Sequence, residues 1–127
     1  MAKTQKVMMY KKNKKGIYHE IVVNFMHMLN TVKLYHWKTT NYATHKATDQ
    51  LYSDLNTKID GFVEVMLGKP EIGNRRNYIL DISSVNLKNY KNNKDFKKEV
   101  DYYKRFLIGL SQKKEFKDNT SNADLLA

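Results

Sequence analysis

Two histidines and three carboxylates lie within residues 36 to 64, in a stretch that otherwise has the pattern of a helical pair: His36, His45, Asp49, Asp60 and Glu64. Imidazole and carboxylate ligands without thiolates suit iron, manganese or zinc, and iron is the natural choice in a helical bundle. Carboxylates brought together also repel one another unless a cation lies between them. These residue types predict a metal site. The alternative is that the acids form a solvated helix face and that His36 is a buried structural histidine.

The spacing of the acids places them on one edge of the second predicted helix. At about 100° per residue, the four ligand-type residues of this helix fall at about 0°, 40°, 60° and 100°. The apolar stripe of the same helix is centred near about 270° on the same scale, so the acids do not share the face that packs into the core. His36 lies on the apolar stripe of the preceding helix, near the hairpin end and within reach of His45.

Apolar residues at helical spacing predict a first helix at residues 17 to 39 and a second at residues 42 to 67. The linker between them is short and contains the N-cap candidates Thr39, Thr40 and Asn41. Gly68, with Pro70 just beyond it, is typical of a helix end. A linker this short predicts an antiparallel hairpin.

The second half of the chain is less regular. The apolar residues between 79 and 87 are compatible with either a short helix or a covering segment. A third helix is expected at residues 94 to 111, with Asn93 or Asp95 near its cap. Ser121 and Asp124 have the spacing of a capping box that starts a fourth helix at residue 121. The expected fold class is therefore all-α, an antiparallel four-helix bundle whose fourth helix is truncated or missing at the C-terminus.

Composition is that of one small domain without disulfides. The chain has 127 residues, 41% of them hydrophobic, and no cysteine. Thiolate metal sites are thereby excluded, and a reducing compartment is expected. No apolar run is long enough for a transmembrane helix, and the N-terminus lacks the apolar core of a signal peptide. We expect a soluble, intracellular, cytoplasmic protein without a membrane partner.

Positive charge is concentrated at the N-terminus. The formal net charge is +10, and residues 1 to 16 contain no acid and six lysines: Lys3, Lys6, Lys11, Lys12, Lys14 and Lys15. Such a segment is predicted to be a disordered basic arm preceding a helical domain at residues 17 to 127. A lysine arm suits nucleic-acid phosphates, and a solubilising tail is the alternative. The second basic stretch, residues 88 to 98, is interpreted as a solvated loop and helix start.

The histidine and acid series resembles the Dps family, the DNA-binding miniferritins of the ferritin-like superfamily. The series is His36-Trp37, His45, Asp49, Asp60 and Glu64, and its last three steps of 4, 11 and 4 residues are those of the family. The C-terminal sequence KDNTSNADLLA is similar to that family's lead into its last helix. Within the family, the chain looks most like the small Dps-like proteins of large DNA viruses.

The resemblance implies a ferritin-like bundle that forms a homo-oligomer, a dimer at least and a hollow cage if a fourth helix is present. It also implies a ferroxidase site across the dimer interface, with Trp37 and Tyr52 near the site. His36, His45 and Asp49 come from one subunit, and Asp60 and Glu64 from its neighbour. In the family, Fe(II) is oxidised there, preferably by hydrogen peroxide, and stored as ferric mineral, and basic tails of some members bind DNA.

The interval between the two histidines separates this chain from the family pattern. It is nine residues, three fewer than the usual twelve, and the Gly-Pro loop of the family is missing. The closure of the hairpin therefore decides whether the two rings meet. The basic charge also suits a second hypothesis, a catalytically inactive Dps-like structural protein such as a viral minor capsid or virion component that docks on protein or nucleic acid. A viral protein of this kind is expected in the host cytoplasm and the virion.

Overall fold

The computed structural model describes residues 15 to 112, and this part of the chain is helical with no strand, as predicted. Its helices are α1 (Ile17–Lys38), α2 (Tyr42–Leu67), α3 (Arg76–Ile79) and α4 (Asn93–Ser111). The expected fourth helix at residue 121 lies outside the described residues. In residues 15 to 112, no helix combines the length and apolar character that crossing a bilayer requires.

The helix ends follow from local capping chemistry. Asn41 caps α2, because its Oδ1 accepts a hydrogen bond from the Thr44 amide at 2.9 Å. At the other end, the Gly68 amide donates to the Glu64 carbonyl at 3.2 Å. The cap of α4 is Asn92, so Asn93 and Asp95 lie near the cap, as expected, without forming it. Asn92 has extended backbone and its Oδ1 accepts from the Asp95 amide at 2.9 Å, so the helix starts one residue earlier than expected.

Helix α1 is the centre of the described bundle. Half of its residues are buried: Ile21, Val22, Asn24, Phe25, His27, Met28, Leu29, Thr31, Val32, Tyr35 and His36. By contrast, only Thr48, Phe62 and Met66 of α2 are fully buried, and its Leu51, Leu55 and Ile59 are half-buried. Helix α1 is therefore surrounded by other elements, whereas α2 packs through one stripe and presents its remaining surface outward.

After α2 and the short α3, residues 81 to 92 run as an extended crossover alongside α1. Asp81 Oδ2 lies 2.7 Å from Lys15 Nζ, just before α1 starts. His27 Nδ1 donates to the carbonyl oxygen of Asn86, at the middle of α1. Lys38 Nζ donates to the Tyr90 carbonyl oxygen at 3.1 Å, at the end of α1. The crossover therefore spans the length of the bundle, about 30 Å. Of the two possibilities that the sequence allowed, a short helix or a covering segment, residues 81 to 87 form the covering segment.

The crossover sets the direction of α4. Asn93 lies against Tyr35, and Glu99, further along α4, lies against His27, earlier on α1. Helix α4 is thus antiparallel to α1, as α2 is through the hairpin. Consequently α2 and α4 run in the same direction, and one long connection joins them. Helix α1 packs against both of them: Phe25 lies edge-on to Phe62 of α2, with ring centroids 5.3 Å apart, and Tyr35 stacks on Phe96 of α4 at 4.2 Å.

Candidate metal centre

The two histidines meet across the α1–α2 hairpin. Their rings are stacked, with centroids 3.9 Å apart and planes 21° apart. His36 Nδ1 donates to the His45 carbonyl oxygen at 2.8 Å, and His45 Nδ1 donates to the His36 carbonyl oxygen at 3.0 Å. The nine-residue interval is therefore short enough to close the hairpin and long enough to bring both rings together.

These reciprocal hydrogen bonds fix the orientation of both rings. A carbonyl oxygen only accepts, so the Nδ1 atom of each ring carries the proton. In a neutral ring the lone pair then resides on Nε2, which is the arrangement found in histidines that bind metals through Nε2. Thr48 Oγ1, 3.1 Å from His36 Nδ1, adds a further polar contact at the buried ring. Each ring taken singly is thus oriented for ligation through Nε2.

Asp49 lies beside His36. Its Oδ1 lies 4.0 Å from His36 Nε2, and its side chain is exposed. The stacked rings direct their in-plane lone pairs along nearly parallel planes, so one ion cannot bind both rings unless a ring turns. In agreement with this, residues 15 to 112 contain no group of three or more histidine and acidic side chains placed to hold a metal ion.

Asp60 and Glu64 lie on the same edge of α2 and are exposed. They do not join the histidines within the chain. Eleven residues separate Asp60 from Asp49, which is about 16 Å along a helix. The structure therefore places His36 beside both His45 and Asp49 and leaves Asp60 and Glu64 about 16 Å or more further along α2.

Trp37 and Tyr52 lie beside this edge and share one lysine. Lys33 Nζ is 5.6 Å from the centroid of the Trp37 ring and 4.6 Å from that of Tyr52. Trp37 is 68% exposed although it is large and aromatic, and Met26, on the same helix, is 40% exposed. Trp37 and Met26 are eleven residues apart, which places them on one face of α1, and exposed apolar side chains on one face are typical of a contact surface.

Of the six arm lysines, only Lys15 is among the described residues. Its Nζ forms the ion pair with Asp81 and lies 5.3 Å from the centroid of the Tyr78 ring. Lys3, Lys6, Lys11, Lys12 and Lys14 lie outside the described residues, so DNA binding by the arm stays a prediction.

Sequence reasoning missed a buried polar pair on the other side of α1. His27 Nε2 lies 3.1 Å from Glu99 Oε2, and both side chains are buried. Burial, and then the Glu99 carboxylate, raise the pKa values of Tyr90 and Tyr103 above the ordinary tyrosine value. One signal was present in the sequence: Glu99 falls within about 20° of Leu110 on the apolar stripe of α4. A lone acid on such a stripe indicates a buried partner.

Residues 15 to 112 thus form a helical fold with imidazole and carboxylate side chains along one edge. Residues 36–123 match a family of unknown function (DUF5856), and this match covers well over half of the chain. The chain belongs to that family. The matched range begins at His36 and contains all five ligand-type residues. No curated protein and no solved structure matches the chain.

Proposed function

We propose that the protein is a Dps-like iron-binding protein that oxidises Fe(II) at a site shared by two copies of the chain. In this proposal, His36, His45 and Asp49 of one copy face Asp60 and Glu64 of the partner subunit. The observation that carries it is the histidine pair, whose Nδ1 atoms are both committed to carbonyl oxygens and whose Nε2 atoms are left for a metal.

The spacing of the acids supports the shared site. The steps of 4, 11 and 4 residues are symmetric about the point between Asp54 and Leu55. If α2 pairs antiparallel with α2 of a second copy about that point, His45 is level with Glu64 of the partner subunit. Asp49 is then level with the partner's Asp60. A two-fold axis thus generates two equivalent sites per dimer, and each is complete only in the dimer.

The chain path supports the ferritin-like part of the proposal. Ferritin-like bundles differ from simple up-down bundles by one long crossover connection. The crossover at residues 81 to 92 has that role, because it makes α2 and α4 run in the same direction. Such a bundle takes a further helix, and the spacing of Ser121 and Asp124 predicts that one starts there.

In the proposed reaction, Fe(II) is the substrate. Each hydrogen peroxide accepts two electrons, one from each of two Fe(II) ions, and is reduced to two hydroxide ions. The residues of the edge bind and hold the ions, because histidine nitrogen and carboxylate oxygen ligands suit both Fe(II) and Fe(III).

The test is anaerobic Fe(II) titration of the full chain, followed by hydrogen peroxide and measurement of ferric absorbance. We expect saturable binding and stoichiometric oxidation in the wild type, and the loss of both when Asp60→Ala and Glu64→Ala are combined. The matched control is Asp54→Ala with Asp101→Ala, which also removes two exposed carboxylates but lies off the edge. Unchanged oxidation in the first double variant contradicts the proposal. A wild type that binds no Fe(II) favours the alternative, an inactive Dps-like structural protein.

A further inference from the structure

A basic cleft lies at the hairpin end of the bundle, between the α1–α2 loop and the start of α4. We call it the hairpin cleft. Its volume is about 370 Å³, within the range of small-molecule sites. None of the described residues that line it is acidic, and the polar ones include Lys38, Thr39, Thr40, Asn41, Lys91 and Asn92. Two ammonium groups beside hydroxyl and amide groups, without a carboxylate, suit an anion.

Hydrogen bonds between three helices hold the cleft in shape. The Tyr35 hydroxyl donates to Asn93 Oδ1 at 2.5 Å, and Asn93 Nδ2 donates to Thr44 Oγ1 at 3.0 Å. Asn93 of α4 is thereby fixed to both α1 and α2. Lys38 uses one N–H on the Tyr90 carbonyl, and an ammonium group has three, so two remain for a ligand. The cleft is therefore formed before a ligand arrives, which lowers the entropy lost on binding.

An exposed aromatic residue directly follows the cleft residue Asn41 in the chain. This residue, Tyr42, is 73% exposed. Lys46 Nζ lies 5.8 Å from the centroid of its ring. An exposed ring beside cationic groups is the arrangement on which nucleobases stack. Next to the anion-binding groups of the cleft, Tyr42 thus offers a ring suited to stacking on a base.

We propose that the hairpin cleft binds a nucleotide, with its phosphate between Lys38 and Lys91 and its base on Tyr42. The nucleotide is either free or one unit of a single strand, because the same phosphate and base are present in both. The site shares no residue with the proposed iron ligands. Asp95 is an acid beside it, since its Oδ2 accepts from Asn92 Nδ2 at 3.1 Å, and its charge opposes phosphate binding.

The test compares two charge-matched variants of the full chain. Lys38→Gln with Lys91→Gln removes the cleft charges, and Lys58→Gln with Lys104→Gln removes two exposed lysines of α2 and α4 away from the cleft. ATP, inorganic phosphate and a fluorescent single-stranded thymidine oligonucleotide are titrated by calorimetry or anisotropy at low salt. We expect about tenfold weaker binding in the cleft variant and less than about threefold in the control. Tyr42→Ala should weaken binding of ATP and leave binding of inorganic phosphate unchanged.

A gain of affinity provides a test that unfolding cannot imitate. Asp95→Asn keeps the size of the side chain and removes the opposing charge, so we expect binding about twofold to threefold tighter. Binding of the oligonucleotide alone or of ATP alone supports the proposal and identifies the source of the nucleotide. Equal losses in the two charge-matched variants, equal affinity for ATP and inorganic phosphate, or no binding of any of the three overturns it.

Discussion

Glu99 and His27 form a buried pair that joins α4 to α1. The His27 ring also donates to the crossover through Nδ1, so one histidine connects three elements. Removing the carboxylate leaves His27 Nε2 without this partner in a buried site and creates a small cavity. We expect Glu99→Ala to lower the free energy of unfolding by about 3 kcal/mol, measured by urea denaturation. Asp101→Ala, at an exposed position of the same helix, should change it by less than about 0.5 kcal/mol. Equal effects would show that the pair does not stabilise the fold.

At the level of single residues, the ligand-type side chains could be predicted from the sequence, but the hydrogen-bond partners that orient them could not. The stripe of acids on α2 follows from helical spacing alone. The hydrogen bonds that His36 and His45 donate to each other's carbonyl oxygens do not follow from spacing. They depend on how α1 and α2 cross after a loop of three residues, Thr39 to Asn41. The His27 and Glu99 contact joins residues 72 positions apart, and no local pattern encodes a separation of that kind.

At the level of elements, the N-terminus of α2 holds the candidate centre in place. Asn41 Oδ1 accepts from the Thr44 amide, and the Asn41 carbonyl accepts from the His45 amide at 2.9 Å. Asn41→Ala removes the side-chain cap, so we expect a loss of about 1 kcal/mol in the free energy of unfolding, measured by urea denaturation. Asn56→Ala, at an exposed position inside the same helix, should leave stability unchanged or raise it by a few tenths of a kcal/mol. The idea fails if both variants behave alike.

Helices α1 and α2 were predictable because their signals are local. The apolar periodicity runs along each helix, and Asn41 and Gly68 lie directly at the two ends of α2. The crossover was not predictable to the same degree. Its extended form depends on contacts with Lys15, His27 and Lys38, which are distant in sequence. The sequence did not single out the cap of α4, because Asn92, Asn93 and Asp95 are all capable of capping. In the structure Asn92 caps the helix, and the Asn93 side chain contacts Tyr35 and Thr44 instead.

For the whole molecule, buried tyrosines predict loss of stability at alkaline pH. Burial and the Glu99 carboxylate raise the pKa values of Tyr90 and Tyr103. Because these pKa values are raised in the folded state, the two tyrosines contribute fully to the free energy of unfolding below about pH 10, the tyrosine pKa of the unfolded chain. This contribution to stability is lost as the pH rises above the pKa of the unfolded chain. Urea denaturation at pH 8 and pH 11 should show this decline, and Tyr103→Phe should reduce it. The exposed Tyr42 is the matched control, and Tyr42→Phe should leave the decline unchanged. A pH-independent free energy of unfolding would contradict the prediction.

The assembly of the proposed centre from two copies gives the sharpest test at the scale of the whole molecule. One variant carries His45→Ala with Asp49→Ala, and the other carries Asp60→Ala with Glu64→Ala; each alone should be inactive in Fe(II) oxidation. In a mixed dimer, the intact histidine side of the second variant faces the intact acids of the first, and one of the two sites is restored. Random association makes half of the dimers mixed, so co-refolding equal amounts should restore about one quarter of wild-type oxidation. Fe(II) oxidation in each variant refolded alone is the baseline. If co-refolded protein that forms mixed dimers by native mass spectrometry remains at that baseline, the acids do not act across the interface.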